Sequence, residues 1–438
     1  MKFSQFNSVL LYDGTHVLYN SFYQKFITID PLLKDLLEAA IIEDIDGLEE
    51  IHPTFYSYLK AEGYLVPEDM DEIKSVKEIV DRVDNNFDTF LLTINPTMNC
   101  NFKCWYCYET HIKASSFQDD MIDRVGHFIE KTASKEGMNF FNLAFFGGEP
   151  LLYFKRDVIP VIEKLKMECV KNSVDYSVGF TTNGYLIDDE FLNFFKSCDI
   201  SPGLQITLDG YKEKHDLVRY VNEKKGSYEV IINNIKKLIL NTFHVRLRIN
   251  YTSENIHDTY KIAEEFLDIP ADIKKDYLLI DFHRVWQDTE GEDIVLSVDN
   301  NIKKIKALGI PVTHLAPNNV HDSCYADKRN SAVINYNGDL FKCTARDFST
   351  VKRAGYLDET GELIWETGYL EKRMSVKFKN PPCLSCRLLP ICNGGCSQHA
   401  MEAIEKGDEY CIYKGDDEQK NDAIRSKIRE IVDALELK

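Results

Sequence analysis

The sequence predicts an α/β protein built around a partial (β/α)6, TIM-like barrel, with a small module before the barrel and a cysteine-rich domain after it. Six short apolar segments of strand-like composition alternate with longer segments of helical periodicity. These predicted strands are residues 90–94, 142–146, 178–181, 204–208, 245–250 and 277–282. Polar motifs follow several of them directly. Because barrel active sites lie at the carboxyl ends of the strands, the motifs are candidate site residues.

Residues 1–66 predict a winged-helix-like module. Alternating apolar residues flank the turn Asp13-Gly14, and this pattern predicts a β-hairpin. The predicted strands are residues 9–12, 16–19, 26–29 and 64–66. Strands that flank two helices are typical of a winged-helix arrangement, although a packing extension without a ligand explains them as well.

The first helix of this module is predicted to begin after Asp30, a good N-cap, with Pro31 at its first position. Its apolar face is expected to consist of Leu32, Leu33, Leu36 and Leu37. A second amphipathic stretch around residues 55–59 ends at Gly63. Residues 67–89 are charged, with apolar residues at helical spacing, and they predict a connecting helix.

Residues 90–318 are expected to form the barrel, and residues 319–438 the cysteine-rich domain. Within the latter, residues 333–343 predict a β-hairpin around Asn337-Gly338. A helix is predicted from about Asp416 to the C-terminus. Its apolar face is expected to contain Ile424, Ile428, Ile431, Val432 and Leu435.

Composition narrows the class of protein. The chain has 438 residues, of which 44% are hydrophobic, so it is long enough for two or three domains. A net charge of -19 argues against a nucleic-acid partner, because phosphate binding needs Lys and Arg that carboxylates do not match. With neither a signal segment nor a run of about 18 apolar residues, we expect a cytoplasmic protein without a membrane partner. Closely spaced cysteines are then candidate metal ligands rather than disulfides.

Cys100, Cys104 and Cys107 form a Cys-x3-Cys-x2-Cys run directly after the first barrel strand. An iron-sulfur cubane has four irons, so three thiolates leave one iron open to a ligand from outside the protein. The alternatives are a zinc knuckle or a set of buried thiols. Zinc prefers four protein ligands, and no histidine follows at knuckle spacing.

Gly147, Gly148 and Glu149 follow the second barrel strand. Two glycines allow the backbone to approach a ligand closely, and the Glu149 carboxylate is expected to accept hydrogen bonds from an ammonium group. An ordinary turn is the alternative explanation.

Four polar residues follow later strands and are candidate contacts at the same mouth of the barrel. Thr207 ends the fourth predicted strand, and Arg219 lies shortly after it. Arg248 and Asn250 end the fifth predicted strand. Arginine is suited to bidentate binding of a carboxylate. Turn residues or surface ion pairs are the alternative for each.

Seven more cysteines lie in the last third of the chain. They are Cys324, Cys343, Cys383, Cys386, Cys392, Cys396 and Cys411. Their close spacing predicts metal ligands, and a double zinc ribbon is one possible arrangement. Cys169 and Cys198 lie in apolar helical patterns and are expected to be buried core thiols.

Together, these motifs resemble those of radical S-adenosylmethionine (SAM) enzymes with a C-terminal SPASM domain, over about residues 90–415. The resemblance implies three [4Fe-4S] clusters and SAM as cofactors. The first cluster would use Cys100, Cys104 and Cys107. The implied SAM contacts are Gly147, Gly148 and Glu149 for the amino group, Thr207 and Arg219 for the carboxylate, and Arg248 and Asn250 for the ribose or adenine.

The same resemblance implies two auxiliary clusters. One would use Cys383, Cys386, Cys392 and Cys411, and the other Cys324, Cys343 and Cys396. Eight-cysteine members of the family have a further cysteine where residues 325–331 have none. An open iron or a ligand such as Asp327 is therefore expected in the second set.

The function implied is that of a radical SAM peptide maturase, an oxidoreductase that installs a thioether or carbon-carbon crosslink in a ribosomally synthesised precursor peptide. Residues 1–66 resemble leader-recognition elements fused to such maturases, so a leader-bearing peptide is the expected partner, with a flavodoxin or ferredoxin-type electron donor. The alternatives are an anaerobic sulfatase-maturing enzyme that forms formylglycine, and a non-catalytic iron-sulfur or zinc scaffold. Sulfatase-maturing enzymes carry an Asp directly after the cysteine that corresponds to Cys343, where this chain has Thr344.

Overall fold

Alternating apolar strands and amphipathic helices produce the sheet and helix arrangement of this chain. The computed structural model describes residues 1–118, 120–222, 225–288, 292–314 and 319–436. The strands are β1 Lys2–Phe3, β2 Asn7–Tyr12, β3 Thr15–Asn20, β4 Lys25–Ile29, β5 Leu65–Val66, β6 Thr89–Asn95, β7 Phe140–Phe145, β8 Asp175–Thr182, β9 Gly203–Leu208, β10 Tyr220–Asn222, β11 Lys225–Gly226, β12 Val245–Tyr251, β13 Leu278–Arg284, β14 Val312–His314, β15 Ser331–Asn335, β16 Asp339–Phe341, β17 Gly355–Leu357 and β18 Leu363–Trp365.

The α-helices connect these strands and cover the sheets. They are α1 Pro31–Ile42, α2 Leu48–Ile51, α3 Pro53–Ala61, α4 Glu72–Asp84, α5 Met121–Ala133, α6 Ile159–Asn172, α7 Asp189–Cys198, α8 Lys212–Val218, α9 Tyr228–Leu240, α10 Lys261–Glu264, α11 Ala271–Tyr277, α12 Glu292–Ala307, α13 Tyr369–Ser375, α14 Pro381–Leu384, α15 Leu389–Cys392, α16 Ser397–Lys406 and α17 Asp417–Glu436.

The chain divides into two units. The barrel unit consists of Phe87–Ala316 and Asn330–Thr367. The cysteine-rich unit consists of Met1–Asn86, Pro317–Arg329 and Gly368–Lys438. The module boundaries predicted from the sequence stay predictions.

One long sheet organises the barrel unit. Its strand order is β14-β13-β12-β9-β8-β7-β6-β15-β16-β17-β18. From β6 to β14 neighbouring strands are parallel, so the predicted parallel α/β barrel fold is confirmed. Each of the six predicted strands overlaps β6, β7, β8, β9, β12 or β13. The hairpin around Asn337-Gly338 is confirmed as β15 and β16, and β15 also pairs in parallel with β6, which was not predicted.

The two faces of this sheet differ in chemistry because successive side chains of a strand point to opposite faces. Leu247 and Ile249 of β12 are fully buried among the apolar core residues. Strand register places Thr207, Arg248 and Asp281 side by side on the other face. A polar row therefore runs across β9, β12 and β13.

The N-terminal part of the cysteine-rich unit contains the predicted meander β2-β3-β4 and the predicted first helix. Asp13 and Gly14 form the hairpin turn with φ of 45° and 77°. The side chain of Asp30 accepts hydrogen bonds from the backbone N–H groups of Leu32 and Leu33, and this bonding caps α1. The predicted short strand is confirmed as β5, which pairs with β1.

Three apolar assignments are wrong. Leu32 is 81% exposed, because the packed face of α1 runs through Leu37 and Ala40 instead. Leu435 is 64% exposed near the end of α17. Cys198 is only partly buried at the last position of α7, whereas Cys169 is fully buried as expected.

The two ends of the chain share hydrophobic cores within the cysteine-rich unit. Leu10 and Val17 of the N-terminal hairpin pack in one buried cluster with Ile391 of α15 and Ile424 and Ile428 of α17. A neighbouring cluster joins residues of α4 and α15. The N-terminal segment also has a buried cluster of its own, which includes Leu37, Leu59 and Tyr64, so it combines a separate core with packing against the C-terminal segment.

Within the described ranges, none of the helices combines the length and the apolar character that crossing a membrane would require.

Shortening Ile428 to Ala tests this shared core. Ile428 is fully buried, so we expect the Ile428→Ala variant to lose about 2–5 kcal/mol of unfolding free energy, measured by chemical denaturation. Leu435→Ala on the same helix is the matched control, and its effect should stay within about 0.5 kcal/mol. Equal losses in both variants would contradict the packing of α17.

Candidate functional site

The loop after β6 carries Cys100, Cys104 and Cys107, and hydrogen bonds close it at its base. The Thr97 hydroxyl donates to the backbone carbonyl of Ser115 at 2.7 Å, and the Met98 backbone N–H donates to the Ser115 hydroxyl at 2.8 Å. The three cysteines are therefore carried by a loop whose two ends are tied together.

Gly147 and Gly148 lie directly against the start of this loop. A side chain at Gly148 would overlap the backbone carbonyl of Asn99, and one at Gly147 would lie 2.7 Å from the Cβ of Asn95. Gly147 also has φ of 77°, a conformation that favours glycine. The Glu149 backbone N–H donates to the Asn99 carbonyl at 2.8 Å. The glycine pair is required for this close approach of two loops.

The Glu149 carboxylate is fully buried and points away from the ligand-sized cavity of the barrel unit. It accepts hydrogen bonds from the Leu151 backbone N–H at 3.0 Å, the Thr182 hydroxyl at 2.7 Å and the Asn183 backbone N–H at 2.8 Å. These three bonds leave part of the acceptor capacity of a carboxylate unused, so the expected contact with an ammonium group stays a prediction. In this geometry Glu149 holds the loops together.

The remaining candidate residues of the barrel unit line one cavity of about 180 Å³. They are Cys100, Cys104, Cys107, Gly147, Gly148, Thr207, Arg219, Arg248 and Asn250. The three cysteines also line an adjoining cavity of about 490 Å³. The structure thus brings together residues that lie up to 150 positions apart in the sequence.

A buried ion pair fixes Arg219. Its Nε bonds to the carboxylate of Asp209, and both residues are largely buried. His215 Nδ1 accepts the Asp209 backbone N–H at 3.2 Å, and Nε2 lies 2.9 Å from the Ser227 hydroxyl, which donates to the Arg219 carbonyl at 2.7 Å. Burial and the Arg219 charge hold the pKa of His215 well below its usual range. Neutral His215 therefore holds the backbone on both sides of this ion pair.

Burial disfavours the charged form of all three cysteine thiols. Burial raises the pKa of Cys100 to about 12 and that of Cys107 to about 11. Burial also raises the pKa of Cys104. A metal cluster would offset this burial by taking the place of the protons. Three thiols in one cavity fit a [4Fe-4S] cluster with three protein ligands.

Sequence reasoning missed two titratable residues that line both cavities, Glu109 and His111. Burial, with a smaller contribution from Asp347, raises the pKa of Glu109 to about 7. His111 Nε2 lies 3.5 Å from the Sγ of Cys107. Their position directly after the cysteine run was the available signal.

The cysteine-rich unit has a cavity of its own, the four-cysteine cavity, of about 450 Å³. It is lined by Cys383, Cys386, Cys392 and Cys411. These are the four cysteines assigned above to one auxiliary cluster. Asn380 Nδ2 donates to the Sγ of Cys383 at 2.9 Å. Burial raises the pKa of Cys392 to about 12.

Asp327, the residue considered as a non-cysteine ligand, is buried among cations of the same unit. Its carboxylate accepts a hydrogen bond from the Ser397 hydroxyl and lies 3.7 Å from Lys377 Nζ and 3.9 Å from Arg373 Nε. The Asp327 oxygens are therefore already engaged. Among the described residues, no three His, Cys, Asp or Glu side chains are placed to hold a single metal ion.

Comparison with known proteins agrees with this geometry. Residues 94–266 match the family model of the Radical SAM superfamily. The chain is 26% identical over 355 residues to the cysteine-type anaerobic sulfatase-maturating enzyme of Clostridium novyi (strain NT), a match that covers 72% of this chain and 89% of that protein.

Two solved structures share the fold. Native anSMEcpe with bound AdoMet superposes with a TM-score of 0.59 at 18% identity, over 79% of this chain and 99% of that one. Streptococcus suis SuiB bound to precursor peptide SuiA superposes with a TM-score of 0.53 at 16% identity, over 93% of this chain and 97% of that one. The Radical SAM superfamily implies a [4Fe-4S] cluster and SAM. From the family match and the shared fold, the chain carries a radical SAM domain at residues 94–266.

Proposed function

We propose that this protein is an enzyme that cleaves SAM reductively and modifies a peptide with the resulting radical. The observation that carries the proposal is that Cys100, Cys104 and Cys107 line one cavity together with Thr207 and Arg219. A cluster-ligand set and a carboxylate-binding pair thus face the same space. A scaffold that only holds metal does not need the carboxylate-binding pair Thr207 and Arg219.

Within this proposal, Cys100, Cys104 and Cys107 hold the cluster, and Thr207 and Arg219 hold the SAM carboxylate. A [4Fe-4S] cluster bound there would supply the electron for reductive cleavage of SAM to methionine and a 5'-deoxyadenosyl radical, which would take a hydrogen atom from the substrate. The chain's own residues orient SAM and restrict access of water. The SAM amino group is proposed to bind at Gly147, Gly148 and Glu149, whose carboxylate also holds the neighbouring strand end.

Arg248 and Asn250 are proposed to contact the nucleoside part of SAM. Both line the cavity at the end of β12, and Arg248 Nε donates to Asn250 Oδ1 at 2.9 Å. This bond fixes the orientation of the Asn250 amide. The pair is therefore rigid enough to recognise a flat polar group.

We assign an auxiliary [4Fe-4S] cluster to the four-cysteine cavity of the cysteine-rich unit. Its four cysteines fit a cluster with complete protein ligation. Cys324, Cys343 and Cys396 stay the proposed ligands of a third cluster on the strength of the cysteine pattern alone. Such clusters are suited to accept the electron that a product radical must lose. A flavodoxin or ferredoxin-type protein is the proposed donor of the first electron.

The proposed substrate is a ribosomally synthesised precursor peptide with a leader, in which the enzyme forms a thioether or carbon-carbon crosslink. The fold shared with SuiB, which was solved bound to its precursor peptide, extends over 93% of this chain. Strands β2 and β4 are the edges of the N-terminal three-stranded sheet. Arg425 Nε of α17 donates to the Leu11 carbonyl of β2 at 3.1 Å, which makes β4 the better edge for adding a leader strand.

Formylglycine formation is the second candidate function, and the Clostridium novyi relative favours it. The position after Cys343 is Thr344, so the Asp expected there as a base in sulfatase-maturing enzymes is missing. Asp347 is close enough to raise the pKa of Glu109, and Glu109 lines the cavity. These two carboxylates are the candidates to replace the missing base.

Iron content tests the cluster assignments. Anaerobically reconstituted protein should hold about twelve irons, as three cubanes of four. The Cys100→Ala/Cys104→Ala/Cys107→Ala variant should keep about eight irons and lose all SAM cleavage on reduction. The control is Cys198→Ala, a thiol outside the three sets, which should keep both properties. If the protein instead contains zinc and does not cleave SAM, the proposal that it is a SAM-cleaving enzyme is refuted.

Gly148→Ala tests the contact between the glycine pair and the cysteine loop. The added Cβ overlaps the Asn99 carbonyl, so the loop must shift. We expect loss of about 1–3 kcal/mol of stability and at least a tenfold fall in SAM cleavage. Gly203→Ala, whose added Cβ meets nothing within 4 Å, is the matched control. An unchanged melting temperature together with unchanged cleavage in Gly148→Ala would contradict this account.

The product of peptide modification separates the two functions. Peptides encoded beside the gene should lose two hydrogen atoms per crosslink, and tandem mass spectrometry should show two residues joined. Formylglycine formation would instead produce an aldehyde that a hydrazine reagent traps, on a peptide without a leader. Trapped aldehyde without joined residues would replace the crosslinking proposal with the second candidate.

A further inference from the structure

The hydroxyl of Tyr106 joins the cysteine loop to the opposite wall of the SAM cavity. It donates to Asp209 Oδ1 at 2.5 Å and accepts from Arg219 Nη2 at 2.7 Å and from Asn250 Nδ2 at 3.0 Å. A phenol has one donor and two acceptor positions, so these bonds use its full capacity. Its three partners lie in different segments of the barrel unit: after β9, after α8 and in β12.

The same hydroxyl reaches both arginines of the cavity. Arg219 contacts it directly, and Arg248 contacts it through Asn250, whose Oδ1 accepts from Arg248 Nε at 2.9 Å. Both ends of the Asn250 amide are therefore engaged, and this fixes its orientation. The backbone of Tyr106 is held as well, because its carbonyl accepts from Gln287 Nε2 at 3.0 Å.

Charge explains why a neutral hydroxyl is needed at this point. Arg219 and Arg248 both line the cavity, and Asp209 is almost fully buried behind Arg219. Asp209 takes the Nε of Arg219, and Tyr106 takes an Nη atom. Without the phenol, the guanidinium can rotate toward Asp209 and present less of its charge to the cavity. A second carboxylate in place of the phenol would give the group a net negative charge and repel the carboxylate of a ligand.

We propose that Tyr106 is a positioning residue that holds Arg219 in the orientation that binds the carboxylate of SAM. This inference rests on the proposed function, because it takes SAM as the ligand of the cavity. It adds that carboxylate recognition depends on the loop that carries the cluster cysteines. Tyr106 lies between Cys104 and Cys107, so a displaced loop also misplaces Arg219.

The test compares two ligands in the reconstituted holoenzyme, SAM and decarboxylated SAM. Tyr106→Phe removes only the hydroxyl. We expect the dissociation constant of SAM to rise about tenfold, as for a lost hydrogen bond to a charged group, and that of decarboxylated SAM to change less than about twofold. Asn250→Ala, which removes a proposed nucleoside contact, should instead weaken both ligands alike. Loss of iron from Tyr106→Phe would show that the hydroxyl supports the cluster loop and would overturn the proposal.

Tyr356→Phe, an exposed tyrosine of β17, is the control and should alter neither constant. Equal weakening of both ligands by Tyr106→Phe, with iron retained, would show that the hydroxyl supports the cavity in general and would overturn the proposal. Unchanged SAM binding would overturn it too. If the unaltered protein binds neither ligand, the proposed function fails as well, and this outcome is distinct because it precedes any substitution.

Discussion

The buried carboxylate of Glu149 is the constraint on which the rest of the site depends, because it joins its own loop after β7 to the end of β8. Hydrogen bonds to a charged group contribute about 1.5–3 kcal/mol each, whereas burying an unpaired carboxylate costs several kcal/mol. The carboxylate is therefore tolerated only when its donors from its own loop and from the loop after β8 are all in place. Asn183, one of these donors, also bonds through Nδ2 to Asn101 Oδ1 at 2.7 Å, next to Cys100. The same hydrogen-bond network therefore holds both the cysteine loop and the mouth of the barrel.

The second constraint is the placement of charge around the cavity. Burial lowers the pKa of Arg248, so the protein must hold this guanidinium without full compensation. Arg219 has a full partner in Asp209. One wall of the cavity is therefore positively charged, and the other wall carries the cysteine thiols. An amphoteric ligand with a carboxylate and a metal-chelating group matches both walls, whereas a simple anion matches only one.

The sequence predicted the elements that local patterns determine. The six barrel strands, the N-terminal hairpin and the α1 cap depend on short-range alternation and capping, and all three are confirmed. The pairing of β15 with β6 was missed, because register between segments more than 200 residues apart leaves no local pattern. The burial of the Glu149 side chain was missed for the same reason. Gly147 and Gly148 were recognised, but burial of the next residue depends on loops that arrive from other strands.

The cysteine-rich unit links the proposed leader-binding sheet to the proposed auxiliary cluster through a shared core. Val17 of β3 and Ile391 of α15 belong to one buried cluster, and Cys386 and Cys392 pack against it. A ligand that binds only the folded form stabilises every part that folds with it. We therefore expect that filling the four-cysteine cavity would stabilise the β2-β3-β4 sheet, and that a leader strand added to β4 would stabilise the cavity in return. Peptide binding and cluster retention would then be coupled through the shared core, without contact between the peptide and the cluster.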